Sequence, residues 1–313
     1  MAASPRARSA LAKGPIFWLK AARAPFFTGS LAPVAVGTAL AVHQAGAANW
    51  LLAALALLAL VCLHAGANLA NDYYDHVSGN DAINRSYAAP FTGGSRFIQE
   101  GRVRPGEVLA ASLVSLGLGG AIGAYLVWAV GWPLLLLGVI GAVTGLCYSA
   151  PPLKLSYRGL GEFCVLLDFG VLSVLGAYYV QAKAFSWGAG LAGLVVGLLM
   201  ANVLWINQFQ DAEADAAVGK RHWVVRLGRR KATAVHAAVF TAAYLCIVAG
   251  IGSGAFPPWA ALGLLSLPLA VRASTVAITN HDRLDSLRPA NVSTIAAHLA
   301  TSLLMALGFA IAR

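Results

Sequence analysis

Two short stretches of this chain carry acids and amides where a long apolar run gives way to polar residues: Asn71-Asp72-Tyr73-Tyr74-Asp75-His76-Val77-Ser78-Gly79-Asn80-Asp81 and Asn207-Gln208-Phe209-Gln210-Asp211-Ala212-Glu213-Ala214-Asp215. The chain has only 12 Asp and Glu residues, and six of them (Asp72, Asp75, Asp81, Asp211, Glu213, Asp215) stand here. A charge at the hydrocarbon layer costs about 3 kcal/mol even on permissive insertion scales, so acids kept there are by default a functional-site signal. On a helix, positions three and four apart share a face. Asn68, Asp72 and Asp75 therefore line up, as do Asn207, Asp211 and Asp215, each set a column of oxygen donors. Oxygen-only donors suit Mg²⁺, which takes a few carboxylates, keeps waters and bridges to substrate phosphates. Two such columns face to face would hold a diphosphate between two metals. Glu213 falls on the other side of its helix and is expected to face water.

Six carboxylates at one membrane face repel one another, so the electrostatics demand cations in the site. Arg23, Arg85, Arg96, Lys154, Arg158, Lys220 and Arg221 flank the two stretches, and such bases are natural partners of phosphate oxygens. A diphosphate gripped this way becomes a good leaving group, because the charge developing on it is stabilised. If the rest of the substrate is an isoprenoid, ionisation gives an allylic cation that aromatic faces can shield. Tyr73, Tyr74, Tyr148, Tyr178, Tyr179 and Trp205 stand near span ends. Interfacial belts account for most such tyrosines; of these only Tyr148 is assigned to the site.

The elements that must position these residues are membrane helices. Of 313 residues 59% are hydrophobic and 11% charged, with a mean hydropathy of +0.71. That composition excludes a soluble domain and predicts an all-α, polytopic membrane protein embedded in the lipid bilayer. Apolar runs and breaker residues predict nine spans, at about 16–43, 50–72, 106–130, 132–149, 160–181, 187–209, 231–252, 257–279 and 291–311. They form a bundle around a central cavity open to the cytoplasmic side, a single transmembrane domain over 1–313. Its parts include a cytoplasmic tail (1–15) and two longer cytoplasmic loops, 73–105 and 210–230. Of the 22 Lys and Arg residues, 20 fall on one set of alternate loops and only Lys183 and Arg313 on the other. By the positive-inside rule the N-terminus and both acidic stretches are cytoplasmic, as in a bacterial inner membrane. The same distribution removes the nucleic-acid reading that a net charge of +10 otherwise invites, and no protein partner is readable. The basic, acid-free segment Met1–Lys13 is too short for a transit peptide and has no clear cleavage signal after it. Cys62, Cys147, Cys164 and Cys246 are scattered without paired spacing and read as small core hydrophobes.

At this level the chain resembles the UbiA superfamily of intramembrane prenyltransferases, whose members have nine membrane helices and two aspartate motifs of the forms NDxxDxxxD and DxxxD. Asn71-Asp72-Tyr73-Tyr74-Asp75 matches the start of the first, with Asp81 six beyond Asp75 where the shorter motif puts an acid at Gly79. Asp211-Ala212-Glu213-Ala214-Asp215 matches the second, followed by Gly219-Lys220-Arg221 and Val224-Val225-Arg226-Leu227-Gly228. Trp18-Leu19-Lys20-Ala21-Ala22-Arg23, Thr92-Gly93-Gly94-Ser95, Tyr148-Ser149-Ala150-Pro151-Pro152-Leu153-Lys154 and Tyr157-Arg158-Gly159-Leu160-Gly161-Glu162 are similar to the 1,4-dihydroxy-2-naphthoate polyprenyltransferases of menaquinone synthesis. The resemblance implies Mg²⁺-dependent transfer of a polyprenyl group from its diphosphate to an aromatic acceptor, giving a demethylmenaquinone. It also implies that Asp72, Asp75, Asp211 and Asp215 are catalytic and carry metal, with Asn68 and Asn207 completing or orienting the shell. Lys154, Arg158, Lys220 and Arg221 would grip phosphate, and Arg23 and Tyr148 would position the acceptor. Three positions depart from the pattern: Arg96 stands where a glycine is expected, Ala24 separates Arg23 from Pro25, and Asp168 lies in the middle of the fifth span.

Other acceptors fit the same motifs: 4-hydroxybenzoate, homogentisate, haem or a glycerol phosphate. A transporter with an acidic cation site is the reading from another class. It requires acids at mid-membrane with outward access, whereas these lie at cytoplasmic span ends beside long loops. His64 is one turn before Asn68 and reads as a packed histidine, His76 and His222 as loop residues, and Gly117–Gly123 as a close-packing patch.

Overall fold

The computed structural model describes residues 13–46 and 48–312, so most of the expected tail, with Arg6 and Arg8, and the terminal Arg313 lie outside the described residues. In chain order the helices are α1 (Pro15–Ala21), α2 (Thr28–Ala45), α3 (Trp50–Val77), α4 (Asn80–Ile83), α5 (Pro105–Val130), α6 (Pro133–Ser149), α7 (Gly161–Leu166), α8 (Ser173–Ala182), α9 (Trp187–Ala217), α10 (Trp223–Leu227), α11 (Arg229–Gly252), α12 (Leu267–Asn280) and α13 (Arg288–Ile311). A π-helical stretch, Leu167–Leu172, joins α7 to α8 in one rod, and Pro258–Ser266 winds as a 3₁₀ segment into α12. No strand occurs among the described residues. Helices are what a lipid solvent imposes, since each satisfies its own backbone groups.

Eight of the rods are long and apolar enough to cross a bilayer. Helix α6 has 17 residues, about 25 Å at 1.5 Å per residue, against about 30 Å of hydrocarbon. The segment expected at 132–149 is therefore helical but shorter than the others. Three boundaries also differ. The first expected span, 16–43, is broken at Ala22–Arg23, where Arg23 takes a left-handed φ of 58° just before Pro25, whose nitrogen has no hydrogen to donate. Helices α3 and α9 run on to Val77 and Ala217, so Asp75, Asp211 and Asp215 stand on continuous helix and the loops at 73–105 and 210–230 begin later than expected.

The tightest packing lies on one side of the bundle, where α2, α8, α9, α11 and α13 bury Val36, Leu40, Val174, Leu199, Ile247 and Phe309. Backbones approach closely where glycines permit it: a Cβ on Gly170 would collide with Gly193 and Gly197 of α9. Helix α6 on the other side buries only Ser149 among its described residues. Within Gly117–Gly123, Gly119 alone packs tightly, against Ala59 and Leu63, while Gly120 and Gly123 line the central cavity. Trp50, Trp128, Trp132, Trp187 and Trp259 are exposed at the bundle end opposite the acidic stretches, as an interfacial belt requires.

Candidate active site

Helix α3 stops at Val77, and Gly79 in the left-handed region (φ 78°) turns the chain back at no steric cost. The short α4 that follows lies against α9. Asn80 Nδ2 donates to Asp215 Oδ1 at 2.7 Å, and Asn84 Nδ2 donates to Asp211 Oδ1 at 2.7 Å. The two acidic stretches thus meet at one end of the bundle, joined by amides that sequence reasoning missed. An Asn–x–x–x–Asn pair after a glycine is the signal that pointed to them.

A strap between α4 and α5 covers this junction. Ser95 N–H donates to Asp72 Oδ2 at 3.0 Å. Gly94 (φ 71°) lies so close that an added Cβ would come within 2.9 Å of Asp72 Oδ1. Arg96, the departure from the expected glycine, secures the strap: its guanidinium donates to the Asp81 carbonyl at 2.6 Å and lies 4.5 Å from the centre of the Tyr87 ring. Gln99 Nε2 donates to Asp81 Oδ2 at 2.9 Å. Burial, then the nearby Asp75 and Asp72, push the Asp81 carboxyl up to about 8. Its folded-state value lies above the unfolded one, so the folded protein holds the extra proton and Asp81 lowers stability progressively as pH rises from about 4 to about 8. Asp81→Asn removes that term. In metal-free buffer its melting temperature should exceed that of the parent by a margin that widens between pH 5 and pH 8, and a constant margin would refute the assignment.

Protein cations offset much of the acidic charge. Arg23, aimed inward by the break after α1, donates to Asn68 Oδ1 at 3.2 Å and Asn71 Oδ1 at 3.3 Å and lies 3.8 Å from Asp72 Oδ1. Lys220 Nζ bridges the two acidic helices, 3.8 Å from Asp75 Oδ2 and 3.3 Å from Asp215 Oδ1. Burial alone would lower its pKa, but Asp215 and Asp75 hold the ammonium well above its ordinary value. His222 is fully buried at the start of α10; its Nδ1 accepts from Val225 N–H at 3.4 Å, which leaves the ring proton on Nε2, 3.0 Å from Asp215 Oδ2. Lys220, Arg23 and the Asn80 and Asn84 amides relieve part of the repulsion among the carboxylates.

These groups stand at one end of a cavity of about 780 Å³. Arg23, Asn68, Asp75, Tyr148, Asn207, Asp211, Asp215 and Lys220 line it, while α3, α5 and α6 give apolar walls. Asp72 is not on the wall; it is pinned beneath the strap. The Asn68 and Asn207 oxygens accept from Arg23 and from Asn291 Nδ2 (2.8 Å), which suits orientation. Lys154 shares a ring with Lys220, their ammonium groups 5.0 and 5.9 Å from the centre of Tyr157. Arg158 and Arg221 are exposed and are not brought to the cavity; their carbonyls each accept from Arg226 at 2.6 Å, and the Arg158 guanidinium donates to the Pro152 carbonyl at 3.3 Å. Glu213 is exposed and pairs with Arg229 at 3.0 Å. Glu162 is a further buried acid beside the site, its Oε1 accepting from Gln208 Nε2 at 3.0 Å and Trp223 N–H at 3.3 Å.

Residues 30–295 match the model of the UbiA prenyltransferase family. The chain belongs to that family. It is an integral membrane prenyltransferase. The 1,4-dihydroxy-2-naphthoate octaprenyltransferase of Escherichia coli K12 is 33% identical over 93% of this chain and 94% of its own length. The enzyme of the same name from Mycobacterium tuberculosis is 32% identical over 82% and 84%. The 2-carboxy-1,4-naphthoquinone phytyltransferase of Synechocystis is 28% identical over 93% and 92%. Among solved structures, a UbiA homolog from Archaeoglobus fulgidus bound to GPP and Mg²⁺ shares the fold with a TM-score of 0.66 at 18% identity, covering 94% of this chain and 99% of that one.

Proposed function

We propose that this UbiA enzyme transfers a polyprenyl group from polyprenyl diphosphate to 1,4-dihydroxy-2-naphthoate, giving a demethylmenaquinol, the reduced form of a demethylmenaquinone. The observation that carries the reading is the meeting of Asp75, Asp211 and Asp215 with Lys220 and Arg23 at the polar end of an otherwise apolar cavity. The names of the relatives support the acceptor. In the reaction the carbon–oxygen bond to the first prenyl carbon breaks, its electron pair leaving with diphosphate. The acceptor's ring carbon bonds to that carbon, and loss of the carboxylate as carbon dioxide restores the ring.

The residues fit Mg²⁺. The donors are all oxygen, and Asp72 Oδ1 and Asp75 Oδ1 are buried with no hydrogen-bond partner. Among the described residues no three acid, imidazole or thiol side chains form a ready-made metal cluster. Mg²⁺ needs only one or two carboxylates when phosphate oxygens supply the rest. Asp75 on one helix and Asp211 and Asp215 on the other would hold it, with Asp72, Asn68 and Asn207 behind them; when bound it neutralises charge on the diphosphate. Lys220 and Lys154 bind phosphate oxygens, the Asn80 and Asn84 amides fix the carboxylates that face them, and Arg23 and Tyr148 position the acceptor. The apolar walls solvate the chain and exclude water from the cation. We read the chain as one membrane domain in a bacterial inner membrane, with the N-terminus and the acidic end cytoplasmic, from the distribution of Lys and Arg.

The test offers purified enzyme and polyprenyl diphosphate a mixture of 1,4-dihydroxy-2-naphthoate and 4-hydroxybenzoate, with Mg²⁺ or with chelator. Prenylated naphthoquinol should dominate and should vanish with chelator. Exclusive prenylation of hydroxybenzoate would overturn the acceptor assignment, and unchanged product in chelator would overturn the metal.

A further inference from the structure

Asp168 remains unused by this mechanism. It lies in the π-helical stretch between α7 and α8, and it lines the cavity well inside the membrane span. Its Oδ1 is 2.6 Å from Thr144 Oγ1 of α6, and Thr144 Oγ1 is also 2.9 Å from the Ile140 carbonyl. A hydroxyl has one hydrogen to give, so this pair leaves the second carboxyl oxygen, Oδ2, with no partner among the described residues. An acid on the wall of an apolar chamber is costly unless a polar ligand group meets it. A prenyl chain carries no such group.

The depth of the pair identifies the part of the substrate that reaches it. Ser149 of α6 accepts from Asn71 Nδ2 at 3.1 Å, and the same amide donates to Asp75 Oδ2 at 3.1 Å, so Ser149 marks the carboxylate level. Thr144 precedes it by five residues, about 7.5 Å along the helix. Thr144 and Tyr148 are four apart on one face of α6, and Tyr148 lines the cavity. Between them Gly145 also lines it, and a Cβ there would touch nothing within 4 Å. Gly145 thus leaves open space on the cavity wall between Tyr148, toward the carboxylate level, and the Asp168–Thr144 pair deeper in the span.

We propose that Asp168, supported by Thr144, is the specificity-determining residue that accepts or donates a hydrogen bond at a hydroxyl of the aromatic acceptor seated between α6 and the π-helical stretch. This rests on the aromatic prenyltransferase reading above. The test measures steady-state kinetics of the parent enzyme and of Asp168→Leu, Asp168→Asn, Thr144→Val and Gly145→Leu. The acceptors are 1,4-dihydroxy-2-naphthoate and its two monohydroxy analogues, 1-hydroxy-2-naphthoate and 4-hydroxy-2-naphthoate.

Asp168→Leu should raise the KM for the dihydroxy acceptor by about tenfold to a hundredfold, the effect of stranding one buried polar group, with the KM for prenyl diphosphate within about twofold. It should also erase the parent's preference for the dihydroxy acceptor over one monohydroxy analogue. Asp168→Asn, close in shape, should keep part of both effects, and Gly145→Leu should block the acceptor while sparing donor binding. Unchanged acceptor KM and unchanged preference in both Asp168 variants would sink the inference. So would an equal rise in both KM values, the mark of a purely structural acid. If the parent itself prenylates none of the naphthoates, the proposed function fails first and the inference falls with it; if the parent is active and the variants match it, the inference alone fails.

Discussion

Asp211→Asn is expected to lower prenyl transfer by about a thousandfold while the protein still inserts and melts as the parent does. Asparagine keeps the shape of the side chain and an oxygen that can accept from Asn84 Nδ2, so the junction between α4 and α9 survives. What it loses is the negative charge facing the cavity. Removing one electrostatic stabiliser from a water-excluded site typically costs a hundredfold to a thousandfold, and the loss of a metal ligand adds to it. Asp75→Asn should behave alike, because Asp75 faces the same cavity from the opposite helix. The measurement is product formation in detergent by chromatography, beside a thermal melt. Activity of both variants within about tenfold of the parent would overturn the assignment of these carboxylates.

Gly94→Val should lower turnover by about a hundredfold through a different route. Gly94 takes a φ of 71°, which costs a residue with a Cβ about 1–2 kcal/mol. A Cβ there would also come within 2.9 Å of Asp72 Oδ1 and 3.5 Å of Asp81 Oδ2. Either the strap lifts or Asp72 is displaced, and both disturb the acids beneath. Gly101→Ala is the control. Gly101 has a similar φ of 68° but nothing within 4 Å of an added Cβ, so it should lose a little stability and keep turnover within about twofold. Equal losses of activity in the two variants would show that backbone strain alone, not contact with Asp72, is at work.

The contrast between these two glycines marks what could be read from the sequence. Long apolar runs and the helical spacing of Asp72 with Asp75 and of Asp211 with Asp215 are local patterns, and local patterns fixed the helices and the acidic columns. Asn80 and Asn84 were hidden because their part depends on Gly79 turning the chain back onto α9. His222 read as a loop residue because its burial against Asp215 is a matter of tertiary packing. Lys220 and Arg221 are neighbours of the same charge, and the sequence held no reason to separate them. The turn into α10 sets the first between the acids, its side chain 13% exposed, and leaves the second exposed. Asp72 matched the motif best, yet the strap sets it behind the wall that Asp75 occupies.

The bridging ammonium of Lys220 carries a consequence for the order of loading. It is an internal counter-ion, already offsetting part of the charge on two of the acids that a divalent ion would need. A metal entering by itself must evict that ammonium into a buried setting with no new anion to receive it. A metal entering together with a diphosphate offers the ammonium a phosphate oxygen in exchange. Each therefore raises the affinity for the other, and by reciprocity the lipid donor should be captured as its magnesium salt rather than assembled in two independent steps.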